Sequence, residues 1–419
     1  MTPMSNVDAM DAMDAVDAMD AVDAVDAVDA VDAVEVADAV EVADAVAAAD
    51  VVIAGGGLIG LGIAWRCARR GLAVTVVDPD AGQGASRAAA GMLAPVAEAS
   101  YGEERLLRLC QDSLARYPGF VAELEAAAGD AVGLRTSGTL QVGFDADDMR
   151  ALDELHRFHL ELGLPAERLT TGDARRREPA LTPRIRGAMY VAGDHSVDGR
   201  ALHRALGTAA AKAGVTFDHR RAAAVLVEAG RAAGLVLDDG TELRGGTTVN
   251  ALGAYSTQLG GGAPLPVRPV GGQILRLRGE ALLDGTVRAL VRGRSIYLVP
   301  LGTDELIVGA TVEEKGFDSR VTAGGVYELL RDAIEVVPGV TELDLAETMV
   351  RYRPGTPDNA PILGGCDLPG LVLATGHYRN GVLLTPVTAD AIADLVTTGS
   401  LPEIAQGFGL DRFREGSRA

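Results

Sequence analysis

The stretch "ADVVIAGGGLIGLGIAWRCARRGLAVTVVDPD", residues 49–80, decides the fold. Val51–Ala54 is a short apolar run of strand character. Gly55, Gly57 and Gly60 follow with G-x-G-x-x-G spacing, then a helical stretch that closes at Arg69, Arg70 and Gly71. Basic side chains suit a helix C-terminus and glycine suits its stop. Val74–Val77 is a second β-branched run, and Asp78 ends it. Each part has a physical task in holding a dinucleotide. Gly55 permits the tight turn, Gly57 lets the backbone approach a pyrophosphate, and Gly60 lets helix and strand pack closely. The helix N-terminus offers free N–H groups and a positive dipole end to phosphate. Asp78 accepts hydrogen bonds from a ribose diol. Leu58, Ile59 and Pro79 flank these positions and join the expected contact set. The motif alone leaves FAD and NAD both open.

A second clue comes at once in "GASRAAAGMLAP", residues 84–95. Small side chains let a backbone lie against a large flat ring. Ala85, Ser86, Ala90, Gly91 and Met92 are therefore candidate cofactor contacts, with the Ser86 hydroxyl facing phosphate or ribose.

Outside this region the chain is ordinary for a large α/β protein, with 419 residues, 48% of them hydrophobic. The net charge of −21 is uneven: residues 1–50 hold 14 acidic and no basic side chains, and the remainder holds 38 basic and 45 acidic. A mildly acidic body with no basic patch argues against a nucleic-acid surface. The first fifty residues repeat Asp-Ala-Val or Asp-Ala-Met. A period of three fits neither a helix of 3.6 nor a strand of two, so a disordered acidic tail is expected, with an interaction tail as the alternative. Cys67, Cys110 and Cys366 lie far apart with no C-x-x-C or Cys/His cluster. No structural metal is expected, and a reducing cytoplasm fits. No apolar run approaches about 20 residues without a charge or turn signal, and no secretory signal is visible, so neither membrane contact nor export is expected. His156 and His159, at i and i+3, read as a helix surface rather than a metal pair.

Seven stretches in order carry a family resemblance: "VVIAGGGLIG", "SRAAAGMLAP", "GDHSVDGRAL" (193–202), "TVNALGAYS" (248–256), "SIYLVPLGTDELIVGAT" (295–311), "RYRPGTPDNAPILG" (351–364) and "ATGHYRNGVLLTP" (374–386). Together they resemble the D-amino acid oxidase and sarcosine oxidase family of FAD enzymes, most nearly its glycine oxidase branch. The resemblance implies a discontinuous, glutathione-reductase-like Rossmann domain for FAD over residues 51–91, 185–262 and 346–419. It implies an α+β substrate domain with an antiparallel sheet over 92–184 and 263–345. It implies that Arg353 grips a substrate carboxylate, with Tyr297 and Arg379 assisting and Val312 lining the pocket. Arg351 competes with Arg353 because the two share a strand face. The segment His377, Tyr378, Arg379, Asn380, Gly381, Val382 and Leu383 is expected to run along the flavin. A helix beginning near Gly381–Leu384 would aim its positive end at the flavin ring.

The implied reaction is oxidation of glycine by dioxygen through non-covalent FAD, giving an imino acid or glyoxylate, ammonia and hydrogen peroxide, and supplying thiazole synthesis for thiamine. The implied assembly is a homotetramer. Val312 and Ser295 stand where the glycine oxidases often carry Met and His, so sarcosine and small D-amino acids become plausible substrates. A D-amino acid dehydrogenase with another electron acceptor is the redox alternative. A nicotinamide enzyme or a non-catalytic flavoprotein is the alternative of another class.

Overall fold

The computed structural model describes residues 48–262 and 264–414. The tail expected over residues 1–50 lies outside them except at its end. Ala49 and Asp50, assigned to that tail, belong instead to the first strand, Ala49–Ala54. There the Asp50 carboxylate accepts the Ala73 N–H at 2.8 Å and ties the strand to the approach of the next one.

Five parallel strands form the heart of the first sheet. In spatial order they are Leu371–Thr375, Glu242–Asn250, Ala49–Ala54, Val74–Val77 and Thr216–Asp218. Ile362–Gly365 adds an antiparallel edge, and the hairpin of Ala222–Glu228 and Arg231–Leu237 pairs with Glu242–Asn250. Parallel strands need both faces covered. Helices Leu58–Ala68, Glu104–Ala128, Gly199–Lys212 and Thr385–Thr398 pack into the main apolar cluster around Ile53, Val76, Leu109, Leu202 and Ile392. Trp65 and Phe120 meet edge to face inside it, 5.5 Å apart. Asp198 caps Gly199–Lys212 by accepting the Arg200 and Ala201 N–H groups.

The second sheet has eight strands, in the order Asp344–Gly355, Arg268–Arg278, Glu305–Gly309, Arg294–Leu301, Thr286–Val291, Thr139–Gly143, Gly187–Val191 and Glu167–Leu169. Period two divides its faces. Leu275, Leu298 and Val308 turn toward helix Ala323–Val336 and form one core with Leu329, Ala333 and Val336. Ile274, Tyr297, Val299 and Ile307 turn the other way, against Ala90 and Met92. The small-residue stretch therefore lies against the open face of this sheet.

Several expectations need correction. Residues 346–355 were grouped with the first sheet, but Asp344–Gly355 pairs with Arg268–Arg278 from end to end, which makes it the edge of the second. Residues 187–191, grouped likewise, pair with Thr139–Gly143 in the second sheet. Motif order along a chain does not reveal which strand supplies the hydrogen bonds. The second sheet is antiparallel except for one parallel pair, Thr286–Val291 beside Thr139–Gly143. The last helix starts at Thr385, after a turn over residues 381–384. His159 is fully buried, because the inward face of helix Ala146–Glu161 carries Leu152, Phe158 and His159 together.

One buried carboxylate sets the hairpin that carries Tyr297. Asp148 is 2% exposed and accepts the N–H groups of Phe144 (3.0 Å), Arg292 (2.9 Å) and Gly293 (2.8 Å). Arg292 and Gly293 form the two-residue turn between Thr286–Val291 and Arg294–Leu301, both at positive φ. Asp148→Ala strands these donors. It is expected to cost about 3 kcal/mol, read as a lower urea midpoint with an unchanged denaturant slope.

Candidate functional site

Strand register assembles the first half of the site. Ala54 lies opposite both Val77 and Asn250. The residues that follow, Gly55, Asp78 and Ala251, therefore come side by side at the carboxyl ends of three parallel strands, where open α/β sheets bind ligands. Gly55 has φ +109, and a Cβ there would stand 2.5 Å from the Ala251 carbonyl oxygen. Gly60 is equally constrained, since its Cβ would overlap the Gly55 carbonyl. Asp78 accepts the Gly56 N–H at 2.7 Å and the Asp80 N–H at 2.9 Å. Ser86 accepts the Leu58 N–H at 3.2 Å.

A cavity of about 1000 Å³ runs from this crevice to the second sheet. Gly55, Gly57, Leu58, Ile59, Asp78 and Pro79 line one end, and Ala85, Ser86, Ala90, Gly91 and Met92 continue the wall. His377, Tyr378, Arg379, Gly381 and Val382 close another side. Three expected contacts stand outside it. Gly60 packs behind the loop. Asn380 shapes the turn, its N–H bonding the His377 carbonyl and its own carbonyl accepting from Leu384. Leu383 is 1% exposed in the core, and its carbonyl accepts the Ser113 hydroxyl at 2.6 Å.

The sheet end of the cavity holds Tyr297, Ser295, Val312, Arg351 and Arg353. Two glycines make beds for two of these side chains. A Cβ at Gly272 would lie 2.5 Å from Arg353 Nη1, and one at Gly309 would lie 2.6 Å from Tyr297 Cε2. The register places Gly309 directly opposite Tyr297. Arg353 Nη1 donates to the Thr311 carbonyl at 3.2 Å, and among the described residues no carboxylate pairs with this guanidinium. Arg351 is committed elsewhere, its Nε donating to the Gln83 carbonyl at 2.6 Å and its Nη1 to Val350. Arg379 stacks over the Tyr378 ring, 5.0 Å from its centroid. Burial pushes the Tyr297 phenol above its usual range, with Arg353 opposing, so the hydroxyl stays protonated.

Glu98 and Arg288 also line the cavity as an ion pair that the sequence reading did not find. Buried Asp194 presents Glu98 by accepting the Val96 and Ala97 N–H groups, and Gln141 donates to the Ala97 carbonyl. The one available signal was the Arg-Gly turn at 292–293, whose two-residue register puts Arg288 opposite Tyr297. Among the described residues no thiol lines the cavity. Cys67 and Cys110 are buried, and burial pushes the Cys67 thiol up to about 12.

His377 is 3% exposed, with Nε2 at 3.0 Å from the Thr388 hydroxyl. Burial lowers its pKa from 6.5 to about 3, so the folded ring is neutral. A lowered pKa means that stability is complete above pH 6.5 and drains as pH falls toward 3. The expected slope from this residue is about 1.4 kcal/mol per pH unit. Thermal unfolding between pH 6.5 and 4 should show it, and His377→Gln should flatten that slope.

Comparison with known proteins agrees with this geometry. A family model described as FAD dependent oxidoreductase (DAO) matches residues 50–395. The chain is 35% identical over 364 residues to a bifunctional protein ThiO/ThiG of Trichormus variabilis, covering 86% of this chain but only 54% of that protein, so it spans about half that relative's length. It is 36% identical over 350 residues to a glycine oxidase of Geobacillus kaustophilus, covering 82% of this chain and 91% of the relative. The crystal structure of glycine oxidase from Geobacillus kaustophilus superposes with a TM-score of 0.81 over 87% of this chain and 99% of that one. That of iminodiacetate oxidase from Chelativorans, 26% identical, does so with a TM-score of 0.77, covering 86% of this chain and 98% of that one. The chain belongs to the DAO family of FAD-dependent oxidoreductases.

Proposed function

We propose that this protein oxidises glycine, and with it sarcosine or small D-amino acids, using FAD and dioxygen. The observation that carries the reading is Arg353: a guanidinium without a carboxylate partner among the described residues, seated on Gly272, in one cavity with the Tyr297 hydroxyl and the dinucleotide crevice. The residues present fit FAD. The crevice has a bare glycine turn, a helix N-terminus and the Asp78 carboxylate. The Ala85–Met92 wall offers small side chains to a ring system, and His377, Tyr378, Arg379, Gly381 and Val382 line the same cavity. The absence of a cavity thiol among the described residues supports non-covalent binding.

When bound, FAD accepts the two electrons that leave the substrate Cα–H bond and returns them to dioxygen. The protein supplies position and charge. Arg353 meets the substrate carboxylate with a planar fork that stays ionised in a closed site. Tyr297 donates its O–H to the same carboxylate. Arg379 adds positive potential from the flanking loop. Fixing the carboxylate fixes the Cα–H, and that orientation is the main contribution of the chain. The amine reacts as the free base, so its lone pair drives the oxidation. The imino acid hydrolyses to glyoxylate and ammonia, or serves thiazole synthesis for thiamine, a role supported by the likeness to the ThiO/ThiG protein. Ser295 and Val312 are small and exposed at the cavity mouth, which favours tolerance of an N-methyl or Cα-methyl group. We place the enzyme in the cytoplasm on its scattered cysteines, and as a homotetramer on the family resemblance. No helix among the described residues is long and apolar enough to cross a membrane.

Anaerobic addition of glycine should bleach the flavin, and air should restore it with formation of peroxide. Bleaching by bulkier D-amino acids alone would remove the glycine assignment, and failure of air to restore colour would point to a dehydrogenase. Arg353→Ala is expected to lower kcat/KM by roughly 100- to 1000-fold, and Tyr297→Phe by roughly 10- to 100-fold. Gly272→Ala pushes the guanidinium off its bed and should raise KM about tenfold while the protein stays folded.

A further inference from the structure

We propose that His203 is a positioning residue for the cofactor: by holding the Gly56 carbonyl, it aims the Gly57 N–H at the FAD pyrophosphate. His203 stands on helix Gly199–Lys212, outside the cavity wall. Its Nε2 lies 2.8 Å from the Gly56 carbonyl oxygen. The Gly56 N–H leaves in another direction, to Asp78 Oδ2 at 2.7 Å. The two peptide planes that meet at Gly56 are therefore each pinned by one hydrogen bond.

The consequence follows from peptide geometry. In a trans peptide the C=O and the following N–H point in opposite directions. With the Gly56 N–H on Asp78, the Gly55 carbonyl must face the other way, and it does, lying against Gly60. With the Gly56 carbonyl on His203, the Gly57 N–H must point away from the histidine. Gly57 lines the cavity, and among the described residues nothing accepts its N–H. This is the donor that an anionic phosphate would take.

Gly55-Gly56-Gly57 has no side chain with which to hold its own peptides, and glycine reaches both signs of φ at little cost. A peptide flip at 56–57 would turn the donor out of the cavity and a carbonyl oxygen into it. Asp78 restrains only the first plane, and His203 restrains the second. The imidazole is itself seated, because Gly82 has φ +81 and a Cβ there would stand 2.5 Å from His203 Cε1. Since the acceptor is a carbonyl, Nε2 is the protonated nitrogen.

The test is FAD affinity, measured by titrating apoprotein and following flavin fluorescence. His203→Leu should raise the FAD Kd at least tenfold, the size expected for an unpartnered carbonyl and a misdirected donor. His203→Gln, whose amide reaches the same oxygen, should stay within about threefold of wild type. ADP, which carries the pyrophosphate without the flavin, should lose affinity for His203→Leu in parallel, whereas riboflavin should not. Equal FAD and ADP Kd for wild type and His203→Leu, with only a lowered apoprotein Tm, would overturn the proposal and leave His203 a packing residue. If His203→Leu yields no folded apoprotein, His203→Asn replaces it. Its shorter amide falls short of the carbonyl, so affinity as high as that of His203→Gln would overturn the idea. These outcomes do not depend on which amino acid is oxidised.

Discussion

A side chain at residue 55 would stand 2.5 Å from the carbonyl oxygen of Ala251, and the architecture follows from that closeness. Three parallel strands end level at Ala54, Val77 and Asn250, and the chain must leave the first of them through a turn with no room for a Cβ. Gly55 makes the turn and Gly60 lets the helix start directly behind it. The result is a crevice in which the Gly57 N–H has no acceptor among the described residues and the Asp78 carboxylate holds the neighbouring Gly56 N–H. The flanking helices and the second sheet are arranged around that crevice.

The second sheet shows the same device on a different scale. It presents an apolar face to the small-residue stretch, yet carries Arg353 and Tyr297 on it. Charge and hydroxyl are accommodated because a Cβ at Gly272 or Gly309 would press on Arg353 or Tyr297 and glycine has none, and because the Thr311 carbonyl takes one guanidinium N–H. A free guanidinium in a partly desolvated cavity is costly without an anion. The fold bears that cost at Arg353 while committing Arg351, two residues away, to the Gln83 carbonyl. The two arginines share a strand face and differ in what their surroundings leave them free to do.

Buried and half-buried polar groups brace the surroundings of the cavity. Asp194 and Gln141 hold the segment that presents Glu98, His377 bonds Thr388 at the start of the last helix, and Arg87 and Arg200 both pair with Glu347 at the base of the Arg353 strand. The Arg87–Glu347 pair ties the Ala85–Met92 wall of the cavity to the strand that carries Arg353.

The sequence by itself determined what is local. The strand–turn–helix–strand spacing of residues 49–80 and the small-residue run of 84–95 rest on φ preference, side-chain size and chain spacing, which neighbours in sequence decide. Only the tertiary structure decided what depends on distant partners. It moved the Arg353 strand to the second sheet, because ladder bonds with residues 268–278 outweigh nearness in the chain. It turned His159 inward, brought Glu98 to Arg288 across 190 positions, and set His203 beneath the glycine turn. In each case the partner lies far along the chain, and its choice follows from sheet register and helix packing, which no local pattern encodes.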